Sequence, residues 1–213
     1  MKRLQTLVLS ICIIGSATGF AQEPKPIQLL PPQTEIGKPL MQALKLRQSS
    51  RSYASKPLPL QELSNLLWAA NGVNRSESGK RTAPTAVNWQ EIDVYVALPE
   101  GLYLYEARTH VLTPVVTNDL REATGRQPFV KEAPLNLVFV ADFAKMKNAS
   151  EDNKNLYSAT DTGFISQNVY LYCASQGLAT VVRGSVDRAS LSKAMNLRPE
   201  QTIILAQTVG YPK

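Results

Sequence analysis

The sequence predicts an α+β fold in which helices cover the faces of a β-sheet. Residues 92–98 alternate between apolar and polar side chains, and residues 102–105 return after a Pro-Glu-Gly turn, which is typical of a β-hairpin. Residues 135–141 form a continuous apolar run, as in a strand that is buried on both faces. Residues 152–176 carry apolar side chains at helical spacing and predict a long helix.

The composition is that of one folded domain behind an export signal. The chain has 213 residues, of which 44% are hydrophobic and 19% are charged. Residues 1–21 have the basic start, the short apolar stretch and the Gly-Phe-Ala end of a signal peptide. The apolar stretch is shorter than the roughly 20 residues that span a bilayer. We therefore expect an exported, periplasmic protein without stable membrane insertion after cleavage. Secretion, an uncleaved anchor and a lipid at Cys12 are the alternatives.

Charge and nucleophile content exclude several classes of protein. The net charge is +6, or +4 without Lys2 and Arg3 of the signal, and the basic residues are scattered rather than clustered as in nucleic-acid binders. His110 is the only histidine, and Cys173 is the only cysteine after residue 21. We therefore expect no metal site, no internal disulfide and no catalytic triad. Cys173 lies in an apolar helical pattern that favours a buried, inert thiol.

An extended arm, two helices and a loop are predicted before the hairpin. Residues 22–36 are rich in Pro and Gln and predict an extended arm without a core of its own. The remaining domain, residues 37–213, begins with a helix over 37–48 whose apolar residues recur at helical spacing. Two prolines precede a second helix over 61–70. Residues 74–80 are polar and contain Gly and Ser, which indicates a flexible loop.

The second half alternates helices and strands. Residues 119–124 predict a short helix, and residues 178–182 predict a short strand just after Gly177, which suits the end of the long helix. Asp187 can cap a helix that runs through Met195, and residues 202–209 predict a closing strand. No internal repeat or linker divides the chain, so a single domain is expected.

Residues 47–51 form a compact group of anion donors directly after the first predicted helix. Arg47, Ser49 and Arg51 supply two guanidiniums and a hydroxyl within five residues. Paired guanidinium donors match the geometry of a phosphate. The same run also fits an exposed helix end with solvated charges, and from these residues alone that alternative stays open.

Two further segments carry polar side chains that a ligand could use. Residues 81–90 are small, polar and directly before a strand, and they could bring backbone groups to a planar ligand, with Asn88 and Gln90 as amide donors and acceptors. An ordered loop without a ligand is the alternative. In the long helix, Gln167 needs a partner if it is buried, and a ligand fits as well as a neighbouring subunit or loop does.

Taken in order, these segments resemble the nitroreductase family of FMN flavoproteins, and among its branches the thiazole/oxazole-oxidase-like one. Residues 47–51 are similar to the family's Arg-Arg-Ser-x-Arg phosphate motif, with Gln48 at the second arginine. Residues 84–90 are similar to the Pro-Ser-x-x-Asn-x-Gln loop along the flavin. Residues 68–72 resemble the end of the family's second helix, and residues 161–168 resemble its central helix. Residues 177–184 resemble the family's loop over the isoalloxazine.

The resemblance implies a nitroreductase-like fold with a mainly antiparallel sheet, and an intertwined homodimer with FMN at its interface. The arm over 22–36 suits contacts with the partner. FMN is implied to carry the redox chemistry, with NADH or NADPH as the implied donor, so no catalytic side chain is implied. The implied cofactor-binding residues are Arg47, Gln48, Ser49, Arg51, Asn71, Pro84, Thr85, Ala86, Asn88, Gln167, Val182, Arg183 and Gly184.

Departures from the family pattern leave more than one function open. Gln48 removes a positive charge from the phosphate motif, and Lys213 stands where many relatives continue to a basic pair. The Lys/Tyr pair of dehydrogenating oxidases is missing, which disfavours azoline oxidation. We expect an FMN-dependent oxidoreductase that passes hydride or electrons from a nicotinamide or other donor to an unknown small organic acceptor. The alternatives are an exported flavin-binding protein without reductase activity and a flavin-less interaction domain.

Overall fold

The described part of the chain is residues 25–213 of a computed structural model, and it forms a seven-stranded sheet, a separate hairpin and five helices. The expected signal peptide, residues 1–21, lies outside the described residues. The strands are β1 Ile27–Gln28, β2 Val73–Arg75, β3 Lys80–Arg81, β4 Ile92–Leu98, β5 Gly101–Glu106, β6 Val111–Val116, β7 Leu135–Asp142, β8 Ala179–Arg183 and β9 Gln201–Gly210. The sheet order is β1-β6-β5-β4-β7-β9-β8, and each neighbouring pair is antiparallel.

Helices cover both faces of this sheet. They are α1 Leu40–Leu46, α2 Leu60–Asn71, α3 Phe129–Glu132, α4 Glu151–Gln176 and α5 Arg188–Ala194. α2 and α4 share one core cluster on one face, and α5 packs into a second cluster on the other. Within residues 25–213, no helix has the length and apolar character needed to cross a membrane.

Strand β7 lies in the middle of the sheet and is buried on both faces. All eight of its residues are buried, as its continuous apolar run predicts. Leu137 and Phe139 face the cluster of α2 and α4, whereas Val138 and Val140 face the cluster of α5. This alternation follows from the two-residue period of a strand. The α+β fold with an antiparallel sheet flanked by helices is thereby confirmed.

Local capping signals set the bounds of the helices that frame the site. The Ser150 side chain accepts a hydrogen bond from the Asn153 N–H at 3.3 Å at the start of α4, and Gly177 ends that helix with φ of 74°. Asp187 accepts from the Ser190 N–H at 3.1 Å and caps α5, as its position predicts. The short helix expected over 119–124 is reduced to one 3₁₀ turn.

The N-terminal arm is extended as expected, but it lies on its own domain. β1 pairs with β6, and Leu29 is buried in the main core, so the arm has a share in that core. The Leu30 N–H donates to Ser64 Oγ at 2.9 Å, and the Gln33 N–H donates to Asn65 Oδ1 at 2.9 Å. The arm thus covers α2 of its own chain, because these polar groups of α2 supply partners for its extended backbone.

Two other segments differ from their predicted form. Residues 74–80, expected as a flexible loop, belong to the β2–β3 hairpin, whose turn contains Gly79 at φ of 63°. Helix α1 covers Leu40–Leu46 rather than the predicted 37–48, packs along α4 through Ala43, and leaves Leu40 and Met41 exposed by 61% and 76%. Within residues 25–213, the apolar face of α1 is therefore uncovered.

Candidate functional site

The segment that carries the predicted anion donors is ordered against strand β8. α1 ends at Leu46, and the Ser50 N–H donates to the Thr180 carbonyl at 2.9 Å. Tyr53 is buried, and its hydroxyl donates back to the Ser50 carbonyl. Bonds to the backbone of Ser50 therefore fix the middle of the segment, and the side chains of Arg47 to Arg51 start from a held main chain.

Tyr170 of α4 joins the arginine segment to β8. Its hydroxyl lies 2.8 Å from Ser49 Oγ and accepts a hydrogen bond from the Val182 N–H at 3.0 Å. The Arg47 guanidinium lies over the Tyr170 ring, 5.3 Å from its centroid. Three residues expected at the cofactor, namely Arg47, Ser49 and Val182, thus meet at one tyrosine. Sequence reasoning missed Tyr170, although a tyrosine on the buried face of a helix needs a partner for its hydroxyl.

The charges of the arginine segment are available to an external anion. A cavity of about 220 Å³ opens beside it, lined among others by Gln48, Ser50 and Thr180. No carboxylate of residues 25–213 forms an ion pair with Arg47 or Arg51. Arg47, Ser49 and Arg51 do not themselves line this cavity, which the alternating Gln48 and Ser50 reach instead. The two guanidiniums and the Ser49 hydroxyl are nevertheless a donor set whose chemistry fits a phosphate monoester.

Arg183 is placed differently from the expectation that it faces a flavin. Its buried guanidinium donates to Thr208 Oγ1 at 3.0 Å, to the Thr124 carbonyl at 2.7 Å and to Asn136 Oδ1 at 3.0 Å. Burial lowers the pKa of Arg183 to about 10. A Cβ on Gly125 would lie 1.9 Å from Arg183 Nη1, so the glycine makes room for this guanidinium. Because these protein acceptors take up the donors, the side chain joins β8, β9, β7 and the 122–124 turn.

The predicted flavin loop, residues 84–90, has a strained backbone that side chains hold in place. Val87, Asn88 and Gln90 have φ of 41°, 59° and 50°. A left-handed conformation at a β-branched residue such as Val87 is costly and persists only where the surroundings impose it. The Gln90 N–H donates to Thr85 Oγ1 at 3.1 Å, and Gln90 Nε2 donates to Asn88 Oδ1 at 3.1 Å. Pro84 and Asn88 are exposed, so the outer side of this loop is accessible.

Two acidic side chains, Asp161 and Glu91, accept hydrogen bonds from this loop. The Ala86 N–H donates to Asp161 Oδ2 of α4 at 3.0 Å, and Thr85 Oγ1 donates to Glu91 Oε2 at 3.0 Å. Asn71 lies nearby, where its Nδ2 donates to the Ile92 carbonyl at 3.3 Å. Asn71 is thus brought to the loop, but its amide points into the core.

Gln167 and Gly184, the remaining expected site residues, are both exposed. Gln167 lies on an outer face of α4 together with Leu156 and Phe164, which are exposed by 59% and 42%. Gly184 follows β8, and its carbonyl accepts from Arg188 Nη1 at 3.4 Å. Because Gln167 is exposed, its amide does not need a protein partner to offset burial.

The expected site residues form two groups on opposite sides of α4. Asp161 holds the loop group, and Tyr170 holds the arginine group. Nine residues separate them, which is about 2.5 helical turns and roughly 13.5 Å along the axis. A half-integer number of turns puts the two side chains on opposite faces, with the helix between them. One chain alone therefore does not bring its two groups into a single concave site.

The remaining reactive side chains have structural partners. Cys173 is fully buried, and burial raises the pKa of its thiol. His110 is bound through Nδ1 to the Tyr105 hydroxyl at 2.9 Å and through Nε2 to the Leu30 carbonyl at 3.0 Å, and burial lowers its pKa. Within residues 25–213, no group of three or more His, Cys, Asp and Glu side chains suits a metal ion.

Comparisons with known proteins agree with this architecture. A family model described as "Nitroreductase family" matches residues 44–211. A protein of Methanocaldococcus jannaschii, provisionally named a nitroreductase, is 34% identical over 167 residues, which cover 71% of this chain and 84% of that protein. The FMN reductase (NAD(P)H) of Bacillus subtilis is 25% identical over 159 residues, 69% of this chain but only 54% of that protein. A crystal structure from Ralstonia eutropha, also provisionally named a nitroreductase, has a TM-score of 0.86 and 43% identity over 100% of this chain and 98% of that one.

Proposed function

Because this chain belongs to the nitroreductase family, we propose that it is an FMN-dependent oxidoreductase. In this proposal it passes hydride or electrons from NADH, NADPH or another donor to a small organic acceptor. The B. subtilis relative is named for FMN and NAD(P)H, which supports the choice of cofactor and donor. The observation that supports this proposal most is the donor set of Arg47, Ser49 and Arg51. Neither arginine has an ion-pair partner among the described residues, and Tyr170 contacts both Arg47 and Ser49.

The residues present fit the phosphate end of FMN. Arg47 and Arg51 offer charge-assisted donors, and Ser49 adds a hydroxyl whose orientation Tyr170 sets. Gln48 lines the adjacent cavity and offers an amide to the ribityl chain. Bound FMN supplies reversible two-electron chemistry, so the chain itself needs no nucleophile. The residues around it bind, orient and exclude water.

We extend the proposal to a homodimer with a shared site. The loop group and the arginine group of one chain lie on opposite sides of α4, so a second copy is needed to bring a loop to an arginine segment. The exposed apolar side chains of α1 and α4, including Met41 and Phe164, supply a surface for that copy. Gln167 lies on the same exposed face of α4 and then contacts the partner or the flavin.

Branch and localisation are proposals of the same kind. Residues 68–72 support the thiazole/oxazole-oxidase-like branch, and residues 1–21 support export to the periplasm. An exported protein meets little nicotinamide cofactor, so a flavin-binding protein without reductase activity is the second candidate. The exposed apolar face of α1 also suits the third, a flavin-less interaction domain.

Spectroscopy of the purified mature chain separates these three functions. We expect a yellow protein with an FMN absorption spectrum that bleaches under anaerobic NADH or NADPH. A spectrum that stays oxidised with both donors but bleaches with dithionite would favour the flavin-binding protein without reductase activity. A colourless protein that takes up no added FMN would overturn the proposal and favour the interaction domain.

A further inference from the structure

Glu91, which directly follows the flavin loop, is a buried acid without a counter-charge. Its side chain has no solvent exposure, and no ion pair within residues 25–213 includes it. Oε2 accepts from Thr85 Oγ1 at 3.0 Å, whereas Oε1 has no hydrogen-bond partner in the described part of the chain. A buried, unpaired carboxylate is costly, so such a group tends to keep its proton.

Asp161 of α4 lines the same small cavity as Glu91 and is 3% exposed. Its Oδ2 accepts from the Ala86 N–H at 3.0 Å. Each member of this carboxyl pair therefore holds one residue of the flavin loop, Glu91 through Thr85 and Asp161 through Ala86. Of the residues that follow, Val87, Asn88 and Gln90 have the left-handed backbone that needs such support.

Charged groups on the surrounding elements leave this pair uncompensated. Arg81 of β3 lines the same small cavity, but its guanidinium donates to an amide oxygen and a backbone carbonyl of its neighbours. Asp93, further along β4, is paired with Lys145 at 2.6 Å. Asp142 of β7 donates its N–H to the Glu91 carbonyl, and its carboxylate is paired with Arg198.

The cavity at the carboxyl pair is too small to be a substrate site. Its volume is about 10 Å³, close to the space that one water molecule needs. The pair therefore acts on the loop rather than on a ligand of its own. Burial, and next the nearby charge of Asp161, raises the pKa of Glu91 to about 7.

We propose that Glu91 keeps a proton, which it donates to Asp161, and that both are positioning residues for the flavin loop, so that FMN is held tightly only while that proton is bound. The proposal rests on the proposed FMN function and adds a pH dependence to it. With the proton, the Glu91 O–H donates to the Asp161 carboxylate, and the two acids lie together beneath Thr85 and Ala86. Without it, two negative charges face each other and neither has an ion-pair partner among the described residues, so their separation displaces the loop.

FMN affinity against pH tests the proposal in the full mature chain. The dissociation constant, from quenching of FMN fluorescence, is expected to rise about fivefold between pH 6 and pH 8, as for a pKa of Glu91 of about 7 in the free protein that FMN binding raises by about one unit. Glu91→Gln keeps the protonated arrangement, because its amide donates to Asp161 and accepts from Thr85. At pH 6 we expect this variant to bind FMN with wild-type affinity. At pH 8 its FMN dissociation constant should not show the rise seen in wild type. Glu100→Gln, in the exposed β4–β5 turn, is the matched control and should follow wild type.

Amide hydrogen exchange over residues 85–90 in the FMN-free protein gives a second readout. After correction for the intrinsic pH dependence, protection should fall above pH 7 in wild type and stay constant in Glu91→Gln. Identical pH profiles for the two proteins, in exchange and in FMN affinity, would overturn the proposal. If FMN does not bind at all, the proposed function fails, and the exchange data still decide on the carboxyl pair. Should Glu91→Gln not fold, Asp161→Asn serves, since its amide donates to Glu91 and accepts from Ala86.

Discussion

Tyr170→Phe removes one oxygen atom and, with it, the junction between the arginine segment and β8. The hydroxyl bonds both Ser49 Oγ and the Val182 N–H. Each such bond contributes about 0.5–1.5 kcal/mol net, so the loss in unfolding free energy is about 1–3 kcal/mol. For a chain of this size, each kcal/mol corresponds to a drop in Tm of about 2–4 °C. Ser49 also loses the partner that orients it, and we expect FMN affinity to fall about fivefold to tenfold.

Tyr172→Phe is the matched control for this change on the same helix. Its hydroxyl donates to Glu62 of α2, on the side of α4 away from the arginine segment. Thermal unfolding and FMN titration of both variants separate stability from binding. Both should lose stability, but only Tyr170→Phe should lose FMN affinity. Equal FMN affinity in Tyr170→Phe and wild type would refute the assignment of Ser49 to the cofactor.

Three further predictions test other parts of the account. Arg51→Ala should raise the FMN dissociation constant at least about tenfold, because a charged donor to the phosphate is lost; unchanged affinity in a titration would mean that the site is misplaced. Arg183→Lys should lower the free energy of unfolding in urea by about 1–3 kcal/mol, because buried acceptors lose their donors, and should change FMN affinity by no more than about twofold. A loss of FMN affinity without a loss of stability would instead indicate that Arg183 contacts the flavin. Burial raises the pKa of Glu91 from its ordinary 4.5 to about 7, so protonated Glu91 contributes fully to stability below pH 4.5 and this contribution is lost as pH rises through 7. The free energy of unfolding should therefore fall by up to about 3 kcal/mol between pH 4.5 and pH 7. An unfolding free energy that does not change over this range would contradict the burial of Glu91.

The sequence predicts those elements whose signals are local. Strands β4, β7 and β9 follow from apolar patterns, and α4 and α5 follow from spacing and caps, because these signals depend on adjacent residues. Strand β6 was missed, since Pro114 interrupts its pattern and it has only the two residues of β1 beyond it. The β2–β3 hairpin was missed because its strands have two and three residues.

The candidate site was predictable in its residue types and not in its connections. The arginine segment and the flavin loop follow from motifs. Tyr170 did not, because its partners Ser49 and Val182 are distant in sequence and meet it only in the fold. Arg183 was assigned to the flavin because its neighbours fit a motif, yet the register of β8 turns its side chain inward to Asn136 and Thr208.

The most direct test of a shared FMN site is complementation between two defective copies. One copy carries Arg51→Ala in the arginine segment, and the other carries Ala86→Trp, which places bulk on the flavin loop. Co-expressed with different tags, the mixed dimer has one site with both defects and one site with none. We predict that neither homodimer retains FMN and that the mixed dimer retains about one FMN per two chains. Absence of FMN from a well-folded mixed dimer would contradict a site built from two subunits.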